Sequence, residues 1–211
     1  MRNSSVPAER VILRAGTDLQ RADKVMLMLH GRGATASDIL SISDHLNLQN
    51  AHLIAPQAPD STWYPQSFLS PVKQNEPWLS SSLHLLREVL DEVLSAAFQS
   101  RQVYVLGFSQ GACLTLEFVA RNARPFGGVI AFTGGLIGET LNEENYKVNF
   151  EKTKIFIANS DKDPHVPLAR SEESKRILEK LGADVTLKVY PGMAHTIIED
   201  EIIWVNENIL N

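Results

Sequence analysis

An apolar run, Val103 to Leu106, ends in Gly107-Phe108-Ser109-Gln110-Gly111, and a helix-like run follows from Ala112. This junction constrains the chain more than any other stretch. A strand that passes straight into a helix needs a very tight turn. Side chains larger than hydrogen at Gly107 and Gly111 clash with neighbouring backbone in such a turn. Ser109 is expected at the tip, in strained backbone geometry, with its Oγ exposed above the sheet. It also stands at a helix N-terminus, where unpaired N–H groups favour negative charge.

The remaining elements follow from apolar periodicity. Val11 to Arg14 reads as an edge strand, and Lys24 to Leu29 as a strand buried on both faces. Ser37 to Leu46 reads as a helix with Ser37 as N-cap. His52 to Ala55 is another strand, and residues 56–77 have no period. Ser80 to Phe98 is a helix with Leu83, Leu86, Leu90, Leu94 and Ala97 on one face. Strand Val103 to Leu106 precedes a helix from Gln110 to Asn122. Gly128 to Phe132 and Lys154 to Ala158 are strands, and Leu168 to Leu181 is a helix stopped by Gly182. Strand Val185 to Tyr190 and helix Thr196 to Ile209 close the chain. Such alternation predicts an α/β fold, a mostly parallel sheet with helices on both faces. Functional residues in these sheets gather at the carboxyl ends of the strands.

The 211 residues suit a single domain, 1–211, with a polar tail over 1–9 and an irregular loop over 56–77. The net charge of −5 and the lack of a basic stripe argue against nucleic acid as a partner. No apolar run approaches the ~18 residues of a membrane span. No signal-peptide core precedes Arg10, so a cytoplasmic location is expected. Cys113 is the single cysteine and reads as core filling. No metal-ligand spacing stands out, and no cofactor is expected.

A serine hydroxyl needs a base to take its proton. Of the six histidines only His165 and His195 follow Ser109. His165 lies too close to the preceding acids to leave a separate orienting group. His195, between the last strand and the last helix, is the candidate base. Asp163 is the candidate acid, because Pro164 pushes it into extended backbone and projects its carboxylate off the loop. Asp161 reads as a turn cap. An N–H from His30-Gly31-Arg32-Gly33 and the N–H of Gln110 are candidates for an oxyanion hole. The Arg32 side chain reads either as a contact to a substrate carboxylate or phosphate, or as a structural or solvent-facing group. His30 reads as a packed residue holding its loop. Residues 56–77 leave the site end of a strand and carry five prolines and several aromatics. Trp63, Tyr64 and Phe68 are candidate walls of an apolar substrate pocket; the alternative is that they seal an edge.

Four segments together resemble the phospholipase/carboxylesterase family of α/β-hydrolases, which includes acyl-protein thioesterases. They are Leu-His-Gly-Arg-Gly-Ala from Leu29, Gly-Phe-Ser-Gln-Gly-Ala from Gly107, Asp-Pro-His-Val-Pro from Asp163 and Gly-Met-Ala-His from Gly192. Thr-Trp-Tyr-Pro from Thr62 and Asn-Glu-Pro-Trp-Leu from Asn75 resemble its bacterial carboxylesterase branch. The resemblance implies a triad of Ser109, Asp163 and His195, with backbone oxyanion donors at Arg32 and Gln110. It implies cofactor-free hydrolysis of a small-molecule ester or lipid-like substrate, carboxylesterase- or lysophospholipase-like. Some members form dimers, which leaves a homodimer open. The rival readings are an acyl-protein thioesterase and a non-catalytic binding protein on a hydrolase scaffold. A dienelactone-type hydrolase ordinarily carries cysteine where this chain has Ser109.

Overall fold

The computed structural model describes residues 10–146 and 149–211. The tail expected over 1–9 lies outside the described residues. Seven strands form one sheet: β1 (Ile12–Gly16), β2 (Lys24–Leu29), β3 (Ala51–Pro56), β4 (Val103–Phe108), β5 (Gly128–Phe132), β6 (Lys154–Ser160) and β7 (Asp184–Tyr190). Their order across the sheet is β1-β3-β2-β4-β5-β6-β7. Among the described residues only the edge strand β1 runs antiparallel, paired with β3. The rest pair in parallel, with Leu29 beside Gly107 and Phe108 beside Phe132. The helices are α1 (Ala36–Ser41), α2 (Trp78–Ser95), α3 (Gln110–Arg121), α4 (Leu168–Lys180) and α5 (Glu199–Asn208).

The continuous apolar strands divide by the two-residue period of a pleated sheet. Val25, Leu27, Leu29, Val105 and Val129 join the core on the face covered by α2, α3 and α4. Met26, Met28, Leu106, Ile130 and Phe156 join the core on the face of α1 and α5. Each buried side chain of this size stabilises the fold by roughly 1.5–3 kcal/mol. Both faces must therefore be apolar, which explains why these strands show no alternation.

Helix starts differ from the sequence expectation where side chains supply the missing acceptors. Thr35, not Ser37, caps α1: its Oγ1 accepts from the Asp38 N–H, and the Asp38 carboxylate accepts from the Thr35 N–H at 2.7 Å. After Ser41 the chain tightens into a 3-10 turn, Ile42–His45. Helix α2 starts at Trp78, where Glu76 accepts from the Ser80 N–H and hydroxyl. Its buried stripe is Leu79, Leu86, Val89, Leu90 and Val93, with Leu83 and Leu94 at its margin. Helix α5 starts at Glu199, three residues later than expected.

Glu201, in the first turn of α5, is fully buried. Its Oε2 accepts from the Ile198 N–H, while Oε1 has no hydrogen-bond partner among the described residues. Burial pushes its carboxyl up from 4.5 to about 7, and the neighbouring Asp200 adds to the rise. A carboxyl raised on folding favours the folded state in its protonated form. That contribution is full below 4.5 and is lost as pH rises through about 7. Glu201→Gln is therefore expected to raise the melting temperature at about pH 8 and to change it much less near pH 4. Thermal melts of both proteins at the two pH values check this.

Candidate active site

The turn after β4 has the expected tightness. A Cβ at Gly107 meets the Gly111 carbonyl oxygen at 2.3 Å, and one at Gly111 meets the Leu29 carbonyl oxygen at 2.2 Å. Only hydrogen fits at either position. Ser109 adopts φ 54 and ψ −117, a conformation costing roughly 1–3 kcal/mol that the surrounding structure must hold. Two bonds hold it: the Ser109 N–H donates to Phe132 O at 3.0 Å, and the Cys113 N–H donates to Ser109 O at 3.0 Å.

Three strand ends converge on this serine. Ser109 Oγ lies 2.8 Å from His195 Nε2. His195 Nδ1 lies 2.7 Å from Asp163 Oδ2. The other oxygen of Asp163 accepts from the His165 and Val166 N–H groups at 2.8 Å each. The Asp163 side chain is fully buried, and burial alone pushes its carboxyl up. The hydrogen bonds from His195, Val166 and His165 outweigh that and leave it below its ordinary value. It is therefore a buried carboxylate, charged at neutral pH and held by three hydrogen bonds.

Asp161 takes a different part from the turn cap expected of it. Its Oδ1 accepts from the Gly192 N–H at 2.7 Å and ties the β6 loop to the loop that carries His195. Behind them the buried Asn159 donates to Val166 O and to Ser171 Oγ, fixing the segment that presents Asp163. The Phe108 ring packs on the His195 imidazole with centroids 5.2 Å apart.

Arg32 and Gln110 do with their side chains what the sequence did not reveal. The Arg32 guanidinium donates to the carbonyl oxygens of Tyr64, Pro65 and Gln66. The Gln110 amide accepts from the Trp63 N–H at 3.0 Å and donates to Tyr64 O at 2.8 Å. Together they clamp the 56–77 loop over Ser109. Asn75, also buried, braces the loop internally through Gln66 N–H and Ser67 O. The Arg32 side chain therefore has a structural part in holding the loop, and it also lines the cleft. His30 packs as expected: it is buried, Nε2 accepts from the Ala58 N–H, and burial lowers its pKa.

A cleft of about 460 Å³ opens above Ser109. Tyr64, Phe68 and Cys113 lie in its wall, together with Arg32, Gln110 and His165. Cys113 is buried, and burial pushes its thiol up to about 12, so it remains a neutral wall residue. The structure does not bring Trp63 to this cleft. Its indole N–H donates to His30 O at 2.8 Å, its ring packs on the His30 imidazole, and its carbonyl accepts from Ser82. It is an internal wedge between loop and sheet, which corrects the expectation of a pocket wall.

The two kinds of aromatic separate experimentally. Trp63→Ala is expected to cost about 3–5 kcal/mol of stability, the usual range for emptying a large buried site. Phe68→Ala is expected to change the relative rates on short and long acyl esters. Denaturant titration together with a chain-length series on each variant checks both outcomes.

Sequence reasoning passed over two groups here. The sequence does not favour His165 as a base, yet its ring makes a T-shaped contact with that of His195, centroids 4.8 Å apart. Glu117, fully buried in α3, accepts from Arg121, the Ile137 N–H and the Tyr146 hydroxyl. That carboxylate holds the segment after β5, whose Gly138 N–H reaches Phe68 O at 2.7 Å. A charged residue inside the otherwise apolar α3 stripe was its one visible signal.

Comparisons with known proteins show the family to which this chain belongs. The family model described as phospholipase/carboxylesterase matches residues 15–210. The chain is similar to a crystal structure of phospholipase/carboxylesterase from Dyadobacter fermentans. The two are 51% identical with a TM-score of 0.95, over 96% of this chain and 97% of that one. The Bacillus cereus carboxylesterase structure matches at TM-score 0.77 and 22% identity, over 95% and 93% of the two chains. Acyl-protein thioesterase 1 of Saccharomyces cerevisiae is 26% identical over 90% of this chain and 93% of its own length. The sheet order, the serine turn and the match over nearly the whole length lead to one assignment: the chain has the α/β-hydrolase fold and belongs to the phospholipase/carboxylesterase family.

Proposed function

We propose that the protein is a serine hydrolase of carboxylic esters, working through an acyl-enzyme on Ser109. The observation that carries this reading is the unbroken relay Ser109–His195–Asp163, with both links under 3 Å. His195 Nε2 takes the Ser109 proton as Oγ attacks the ester carbonyl. Asp163 holds the imidazole with Nδ1–H toward itself and stabilises the imidazolium. The backbone N–H groups of Arg32 and Gln110 receive the oxyanion. In support, neither amide donates to another backbone group among the described residues. Collapse of the tetrahedral species expels the alcohol, which takes its proton from His195. Water, deprotonated by His195, then attacks the acyl-enzyme and releases the carboxylic acid, restoring Ser109.

This chemistry needs no metal. A cleft bounded by Tyr64, Phe68 and Cys113 suits a small ester. The yeast relative supports a second reading, hydrolysis of acyl thioesters, because the same attack serves both bonds. A purely binding role has less support, since every member of the relay is in place. Matched p-nitrophenyl esters and acyl thioesters of rising chain length test the proposal. Hydrolysis of the esters with kcat/KM above that of the thioesters fits it. Preference for thioesters transfers the reading to a thioesterase, and no turnover of either refutes hydrolysis.

A further inference from the structure

We propose that His165 recognises an anionic group, carboxylate or phosphate, on the alcohol part of the ester. This inference rests on the serine-hydrolase reading above. Four observations carry it. His165 is exposed and lines the cleft beside Ser109. Its backbone N–H is anchored on Asp163 Oδ1, so its position is set by the same carboxylate that orients His195. Its imidazole makes no hydrogen bond to another described residue, although both ring nitrogens can bond a ligand. Among the described residues no aspartate or glutamate side chain is part of the cleft wall, which carries Arg32, His165 and His195 in a chain of net charge −5.

The side of the ester that His165 meets follows from the mechanism. His195 Nε2 hands its proton to the departing alcohol oxygen, so the alcohol part lies against His195. His165 makes a T-shaped contact with that ring, centroids 4.8 Å apart, and lines the same cleft, which puts it beside the alcohol part. The acyl part falls instead toward Tyr64, Phe68 and Cys113. Arg32 adds positive potential without being the recognition group, since three of its five N–H donors are already committed to loop carbonyls. An imidazole donor to a carboxylate or phosphate is charge-assisted, and such bonds are roughly twice as strong as neutral ones.

The test uses three butanoate esters on the intact protein: 4-carboxyphenyl, 4-(phosphonooxy)phenyl and, as the neutral reference, 4-(methoxycarbonyl)phenyl. The readout is the ratio of kcat/KM on each anionic ester to that on the reference, which cancels general effects on His195. His165→Phe keeps a ring against His195 and removes both ring nitrogens. The ratio is expected to fall about tenfold in that variant for at least one anion. In the wild type it is expected to fall with added salt. The two anionic arms tell carboxylate from phosphate. A ratio unchanged by His165→Phe, whether the rates stay or fall together, overturns the assignment. Wild-type protein that hydrolyses none of the three esters overturns the hydrolase reading and this one with it. Hydrolysis of the neutral ester without the shift in ratio overturns this one alone.

Discussion

Ser109→Ala is expected to lower turnover on the order of 10⁶-fold, because members of such a relay act as a unit. The variant removes one oxygen and leaves the turn intact. Its neighbours argue that it will fold. The Ser109 backbone N–H and carbonyl, not Oγ, make the bonds to Phe132 and Cys113 that hold the turn. Loss of the hydroxyl also leaves His195 held by Asp163 at 2.7 Å. Thermal melts should therefore show a folded protein, and assays of it no ester hydrolysis. Residual activity within tenfold of wild type, from a clean preparation, contradicts the role given to Ser109.

Asp163→Asn should be nearly as severe, on the order of 10⁴-fold in turnover. An amide at this position presents N–H₂ either to His195 Nδ1 or to the His165 and Val166 N–H groups. Facing His195, it forces the tautomer that leaves Nε2 protonated and unable to take the Ser109 proton. Facing the loop, it sets donor against donor. Asp161→Asn should cost far less, since an amide oxygen still accepts from the Gly192 N–H. Steady-state rates of the two variants on one ester separate them. A larger loss at 161 than at 163 contradicts the assignment of the orienting acid.

Much of this architecture could be read from residues alone, for identifiable reasons. Strands buried on both faces cannot alternate, so Val25 to Leu29 and Val129 to Phe132 stand out as apolar runs. The contact among Ser109, His195 and Asp163 was legible because each sits just past a strand, where a parallel sheet gathers its loop residues. Thr35 was missed as a cap although Thr-Ala-Ser-Asp carries the capping-box spacing, because Ser37 offers the same chemistry two residues on. The start of α2 depends on the Glu76 side chain, and no apolar period reports that. Trp63 was misplaced for a deeper reason. Its burial is decided by His30 and Ser82, partners distant in sequence, and an aromatic residue in a loop reads the same whether it wedges or lines. His165 carries no periodic or spacing signal at all. Its place beside His195 comes from the turn that Asp163 organises.

The proposed function depends on nucleophilic attack by Ser109, and covalent trapping reads that step directly. The intact protein is treated with a fluorophosphonate, digested, and mapped by mass spectrometry. The expected result is one adduct per chain, on the peptide containing Gly107 to Gly111, and none in Ser109→Ala. An adduct on another residue, no adduct at all, or equal labelling of Ser109→Ala contradicts the serine-hydrolase mechanism.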